Sequence, residues 1–298
     1  MNPHENTQIS RTQNRARNYV SRGNYSGAEA CLLAALRSAR LRAPSRLFLW
    51  NELGMVYKYS GKFHKSRQLY RSALHQVPRY LNGADSDFFL ADLYHNLGGL
   101  EHAQSHFRRG EKLARQGLRL RRRVASEQSL PVAVDLAALA ALLDGQKKFG
   151  EAEKLYLRAL RIFRREYGPL HGETAMLLSN LAALYQSTQR FQRAEECYRC
   201  ALKIKRRTFG AAHPSVAVTL NNLGMLHHAQ GNARGAERYL GGALRILLRR
   251  VGRRHFQCCS VARNYETAVR AALQTRGLSP QRLVSCVHGK VPVTVQKR

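Results

Sequence analysis

Acidic residues are the scarce class in this chain: 19 Asp and Glu stand against 50 Lys and Arg, a net charge of +31. An imbalance of that size bears on partners and solubility rather than on fold. Long apolar runs are missing too. The longest, Val132 to Leu143, is interrupted by Asp135 and is too short to span a bilayer, so no transmembrane segment is expected. The first 22 residues are polar and hold no apolar stretch of the secretory kind. Prolines are few, and the six cysteines (31, 197, 200, 258, 259 and 286) show no framework spacing in a chain too large to need staples. That usage points to a reducing, cytoplasmic setting.

Catalytic signatures are missing as well. The chain has no Gly-rich phosphate loop, no nucleophile elbow and no HExxH pair, so neither an enzyme nor a cofactor is expected. Cys197-x-x-Cys200 falls within a helical pattern without the strand context of a redox site. His171, His213 and His255 recur once per repeat. Packed helices lie about 8–10 Å apart, too far for successive units to share a zinc at about 2.0 Å. Structural loop histidines are expected there, and no metal site.

What the chain does have is repetition. Leu139-Ala140-Ala141-Leu142, Leu181-Ala182-Ala183-Leu184 and Leu223-Gly224-Met225-Leu226 stand 42 residues apart. They are followed in register by Phe149/Phe191/Ala233, Ala152/Ala194/Ala236, Tyr156/Tyr198/Leu240 and Ala159/Ala201/Ala243. A fixed period in this range marks a solenoid, whose units bury apolar surface by stacking on one another. Within a unit the apolar spacing is helical and divides into two helices. Gly23, Gly61, Gly98 and Gly231 precede the column Tyr25, Phe63, Leu100 and Ala233 by two residues, as a tight turn would require; Lys147 and Gln189 depart from it. Leu53 and Leu90 then head earlier units, with Ala73 and Gly110 in the small-residue column, and a degenerate unit lies around Tyr19, Tyr25, Ala28 and Ala35. The resulting intervals are 37 residues from Leu53 to Leu90 and 49 from Leu90 to Leu139, the excess falling on Arg119–Ser129. Gly168, Gly210 and Gly252 sit where a helix end takes a left-handed residue, and Pro214 where a helix begins.

The organisation expected is a flexible N-terminus over 1–8, degenerate units over 9–130 and three clear units over 131–256. A capping helix over 257–276 and a flexible basic tail over 277–298 complete it.

Leu-small-x-x-Tyr followed by Phe-x-x-Ala-x-x-x-Tyr-x-x-Ala resembles the tetratricopeptide repeat. The 42-residue unit is similar to the kinesin-light-chain subclass, on the strength of Phe209-Gly210-Ala211-Ala212-His213-Pro214 and Leu220-Asn221-Asn222-Leu223. The likeness is strongest over 131–275 and fainter over 9–130. Kinesin light chains carry a long heptad region before their repeats, and none is visible here. The resemblance implies an all-α, right-handed superhelical solenoid of antiparallel helix pairs, about six units with a terminal cap. It also implies a concave groove, lined by the first helices, that captures a peptide.

A step of 100° per residue puts Leu223 on the packing face and Asn221 about 160° away. Six first-helix stripes follow from this offset, with three basic and three acidic residues among them, so the groove is expected to be close to neutral. Its candidate peptide contacts are Asn51, Met55, Phe88, Ser179, Asn221, Met225 and His228. By resemblance, Asn51 and Asn221 fall where the kinesin-light-chain family holds a peptide backbone. The cationic clamp of chaperone-binding repeats is not found in Asn51, Phe88 or Ala137. Asn180, Asn222 and Asn264, one residue along, read as structural.

The cations collect on the second helices. Arg37, His75, Lys112, Arg161, Lys203 and Arg245 form one outward column, with Arg165, Arg207 and Arg249 beside it. Helix C-termini favour such residues, so the column reads as a solvated face or as a seat for an anionic partner. Nucleic acid is the weaker fit for want of interleaved exposed aromatics. The function expected is a non-catalytic scaffold that binds a protein or peptide partner, acidic ones included. The alternative is RNA or an acidic assembly on the basic face. Oligomeric state is left open.

Overall fold

A computed structural model of the 298-residue chain describes residues 3–21, 23–38, 41–250, 252–253 and 256–274. The basic tail over 277–298, with Cys286, and His255 lie outside the described residues.

Thirteen helices account for the described secondary structure, and they come in pairs. The pairs are α1 Pro3–Ser21 with α2 Tyr25–Leu36, α3 Ala43–Tyr59 with α4 Phe63–Tyr80, and α5 Gly83–Ala103 with α6 Phe107–Val124. There follow α7 Leu130–Gly145 with α8 Phe149–Tyr167, α9 Gly172–Ser187 with α10 Phe191–Phe209, and α11 Pro214–Ala229 with α12 Ala233–Arg250. A single helix, α13 Phe256–Gln274, ends the array. Helix α1 begins at Pro3, so the segment expected to be a flexible N-terminus is helical from there on.

The chain divides into two compact units, 1–162 and 163–298, with the division inside α8. Within the first, each helix from α1 to α7 packs on the next one in sequence, and within the second each from α9 to α13 does; first helices also touch first helices: α1 on α3, α3 on α5 and α5 on α7, then α9 on α11 and α11 on α13. Among α2, α4, α6, α10 and α12 no second helix contacts another, so the first helices form the inner layer of each unit. The burial pattern has the same cause. In α9, Thr174, Ala175, Leu177, Leu178, Leu181, Ala182, Leu184 and Tyr185 are buried, leaving a narrow open stripe. In α10 only Ala194, Tyr198, Ala201, Leu202 and Ile204 are buried. A helix packed on one side needs a single apolar stripe, and the rest of its surface is free to carry charge.

The described turns correct the expected register of one unit. Backbone φ is positive at Gly23, Gly61, Ser105, Lys147, Gln189 and Gly231. Helices begin at Tyr25, Phe63, Phe107, Phe149, Phe191 and Ala233, two residues after each. Ser105 is therefore the turn residue of the third pair, and Gly98 lies buried inside α5. The head leucine is Leu97, not Leu90, and the series Leu53, Leu97, Leu139, Leu181, Leu223 has intervals of 44, 42, 42 and 42 residues. No extra segment exists over Arg119–Ser129, since α6 ends at Val124 and is 18 residues long, like its counterparts α4 and α12. Gly110 moves into the column of Ala152. There a Cβ would meet Leu142 Cδ2 at 2.3 Å, which is why that position carries no side chain.

Three glycines at helix ends, Gly168, Gly210 and Gly252, have φ of 84°, 87° and 82°. At Gly210 ψ is 154°, so the backbone is extended in a region essentially reserved for glycine, rather than left-handed helical. His171 and His213, which follow the first two, are helix caps. His171 Nδ1 accepts from the Glu173 N–H at 3.3 Å and His213 Nδ1 from the Ser215 N–H at 3.1 Å, capping α9 and α11. Their rings stack on Tyr167 and Phe209 at 4.3 and 5.0 Å between centroids.

Candidate functional site

In the unit over 1–162, the open side of α3 presents Asn51 and Met55, both half-buried. Asn51 is not free. Its Oδ1 accepts from Asn96 Nδ2 at 2.8 Å, a bond from α3 to the next first helix, α5. Phe88, assigned to the same face two residues before Leu90, stands nine residues before the true head leucine Leu97. It does not occupy the position equivalent to Asn51, which belongs to His95. The Phe88 ring is exposed on one side and on the other lies over the guanidinium of Arg121, 4.2 Å away.

Arg121 is a residue that helical wheels of the first helices cannot find. It arises from the last turn of α6, is 3% exposed, and drives its guanidinium between first helices. Its Nε donates to Asp135 Oδ2 at 3.0 Å, Nη2 to Asp92 Oδ1, and Nη1 to the Phe88 carbonyl at 3.3 Å. His95 Nδ1 sits 2.8 Å from the other oxygen of Asp135. A buried charge persists only with partners in place, and here two carboxylates supply them.

In the unit over 163–298, the open sides of α9 and α11 present Ser179, Asn221, Met225 and His228, all half-buried. Asn221 repeats the arrangement of Asn51: its Oδ1 accepts from Asn264 Nδ2 of α13 at 2.9 Å, and its own Nδ2 donates to Asn222 Oδ1 at 3.3 Å. Asn222 and Asn264 thus have the structural role that the sequence indicates. Met225 leans on the buried cluster of Ala236, Leu240 and Ala268. Met176 and Val218, one turn before Ser179 and Asn221, are large apolar groups exposed on this side.

A second cation reaches this face from behind. Lys205, in the column of Arg121 on α10, places its Nζ 3.2 Å from Ser179 Oγ and 2.9 Å from Thr219 Oγ1. Burial lowers its pKa below the usual lysine value. The available signal for both residues was a cation in a column that otherwise reads Val77, Phe163 and Leu247.

On the second-helix side, Arg161 is exposed in one unit, and Arg165, Lys203, Arg207, Arg245 and Arg249 are exposed in the other. Arg165 pairs with Glu166 at 2.7 Å. With the register corrected, Arg119 and not Lys112 belongs to the outward column, and it too is exposed. Among the described residues no group of three or more His, Cys, Asp or Glu side chains is placed to hold a metal ion. Cys197 is half-buried, its thiol pushed up to about 11 chiefly by burial, and Cys200 is exposed. No helix among the described residues is long and apolar enough to cross a membrane.

These features define a helix-pair repeat array. The tetratricopeptide repeat profile matches residues 89–165, 134–207 and 173–249, and the chain belongs to that family. The family is generally one of non-catalytic protein-interaction scaffolds. Comparison with curated protein sequences yields no match. Among solved structures the chain is similar to BtubC (BKLC) from P. vanneervenii, at 25% identity and a TM-score of 0.58, covering 80% of this chain and 88% of that one. It is also similar to a kinesin light chain protein with nearly identical TPR-like repeats from Podosopora anserina, at 20% identity and a TM-score of 0.56, covering 70% and 98%. A Rap protein complexed with Competence and Sporulation Factor shares the fold at 15% identity and a TM-score of 0.64, covering 91% and 73%.

Proposed function

We propose that the first-helix face captures a peptide segment of a partner protein in the cytoplasm. The observation that carries this reading is the open side of α9 and α11. There Met176 and Val218 are solvent-exposed beside half-buried Ser179, Asn221 and His228, on helices whose other sides are closed by packing. Exposed apolar groups among a few polar ones suit a segment that buries side chains and satisfies its backbone. On Asn51 the Nδ2 hydrogens remain available to a peptide carbonyl, because Asn96 uses only the oxygen. Met176 and Val218 are further contacts on this face, and Phe88 is exposed one turn before Asp92, the equivalent of Met176 on α5. The Rap protein solved with Competence and Sporulation Factor supports the reading by analogy of fold alone.

The second reading places an anionic partner, RNA or an acidic assembly, on the second-helix face. It is favoured by exposed Lys203, Arg207, Arg245 and Arg249, which form no ion pair with a carboxylate among the described residues. Two variants separate the readings. Reversal of Arg161, Lys203 and Arg245 to Glu leaves the core untouched, so the helical signal and peptide-partner capture should survive. Replacement of Met176, Asn221 and Met225 by Ala should abolish capture at any salt concentration. The opposite pattern, with binding that falls steeply as salt rises, would transfer the function to the basic face.

A further inference from the structure

The two cations that rise between first helices occupy the same repeat position and differ in what surrounds them. Arg121 and Lys205 stand 84 residues apart, two repeats. Advancing the neighbours of Arg121 by the same 84 residues turns Asp92 into Met176, His95 into Ser179 and Asp135 into Thr219. The cation is kept and both carboxylates are gone. In the repeat between, the same positions are Phe163, Val134, Ala137 and Leu177, so an uncharged residue is compatible with the architecture.

Lys205 consequently has neutral acceptors only. Ser179 Oγ gives its own hydrogen to the Ala175 carbonyl at 2.8 Å and Thr219 Oγ1 to the Ser215 carbonyl at 3.2 Å, so both hydroxyls face the ammonium with lone pairs. They take two of its three N–H donors. The third has no acceptor among the described residues. Ser179 and Lys205 are both half-buried and Ser179 belongs to the open face, so the ammonium stands beside the surface where the captured segment would run.

We propose that Lys205 is a carboxylate receptor on the first-helix face, holding an acidic group of the captured segment while Met176 and Val218 take an apolar side chain one helical turn away. The inference rests on the peptide-capture reading above. A carboxylate fits better than a phosphate. The site offers one remaining donor, because both hydroxyl hydrogens are committed to backbone carbonyls. A doubly charged phosphate wants several donors, as in arginine-rich sites. The lowered pKa of Lys205 has the same origin, a desolvated ammonium without an anion beside it, and an incoming carboxylate would reverse it.

The test uses the full chain and a synthetic random decapeptide library made in two forms, amidated and free-acid. Wild-type protein should enrich Asp or Glu at one position relative to an apolar residue. Enrichment in the amidated form assigns the carboxylate to a side chain, and enrichment confined to the free-acid form assigns it to the chain terminus. Lys205→Met should lose that preference, binding the selected peptides about tenfold or more weakly, while keeping the apolar preference. Its melting temperature should not fall, because Met replaces an uncompensated charge at a position that is Val77, Phe163 or Leu247 in other repeats. Selected peptides without an acidic preference, or an unchanged preference in Lys205→Met, would overturn the receptor and leave peptide capture standing. Loss of helical signal in Lys205→Met would make the lysine a structural residue and overturn it likewise. A wild-type protein that selects no peptide at all would overturn both readings.

Discussion

Asn96 donates through Nδ2 to the Oδ1 of Asn51 at 2.8 Å, and Asn264 does the same to Asn221 at 2.9 Å. In both cases a first helix is tied to the next by an amide pair at the edge of the open face. The residues that resemblance marks as peptide contacts are therefore also joints of the scaffold.

The joint sets the first prediction. Asn96 is 8% exposed, so Asn51→Ala strands a buried amide and should cost about 1–3 kcal/mol. Replacing both residues by Leu removes the polar pair altogether and should recover most of that loss. A double-mutant cycle on urea midpoints measures the coupling. Additive single changes would mean that the bond contributes nothing.

Arg121 sets the second. Its removal in Arg121→Met leaves Asp135, 3% exposed, without its cation, and breaking such a buried pair costs about 3–5 kcal/mol. Adding Asp135→Leu and Asp92→Leu should restore stability, since the neighbouring repeat is apolar at those positions. Hydrogen exchange across α5, α6 and α7 would report the loosening and its repair. Full protection in the single variant would contradict the assignment.

Two glycines should respond in opposite directions to alanine. At Gly224 a Cβ would meet Leu240 Cγ at 2.5 Å and the Leu240 nitrogen at 3.2 Å, with Leu240 fully buried and unable to yield. Gly224→Ala should lose about 1–3 kcal/mol. At Gly99 the only atom near, among the described residues, is the end of the Lys58 side chain, at 3.5 Å, and Gly99→Ala should gain up to about 1 kcal/mol of helix propensity. Thermal melts of the two variants decide it.

Acid should act through Glu111. Burial opposes its ionisation, but hydrogen bonds from Lys148, Gln146 and Arg115 outweigh that effect and hold the carboxyl at about 2, against an ordinary value of 4.5. A depressed folded-state pKa gives stability that is present above the unfolded value and is lost as pH falls from about 4.5 towards 2. Glu111→Gln should therefore melt with a flatter pH dependence than wild type across that window. Parallel curves would show that the carboxylate carries no linkage.

Most of the array was legible in the chain itself because its columns are enforced by contact. Gly54, Ala140, Ala182 and Gly224 are small where Tyr70, Tyr156, Tyr198 and Leu240 occupy the facing column, and those pairings recur at the repeat interval. The third pair is ambiguous in sequence for a physical reason. Sliding its register by seven residues, from Leu97 to Leu90, rotates a helix face by only about 20°, so the pattern looks the same. Gly98 then imitates a turn glycine, while the residue that takes the positive φ of 59° is a serine, Ser105. Phe88 falls in the column of Asn51 only in that shifted register; in the true one the position belongs to His95.

The sequence by itself determined the helix pairs, the apolar columns and the concentration of cations on the second helices, because each follows from local periodicity and from which sides of a helix must be covered. Only the tertiary structure decided that Asn51 is already engaged by Asn96, that Arg121 is neutralised by two aspartates, and that Lys205 comes through to the open face with hydroxyls alone. Periodicity sets the direction in which a side chain leaves its own helix. How far a long cation reaches, and which group on the next helix it meets there, depends on the packing of segments tens of residues away.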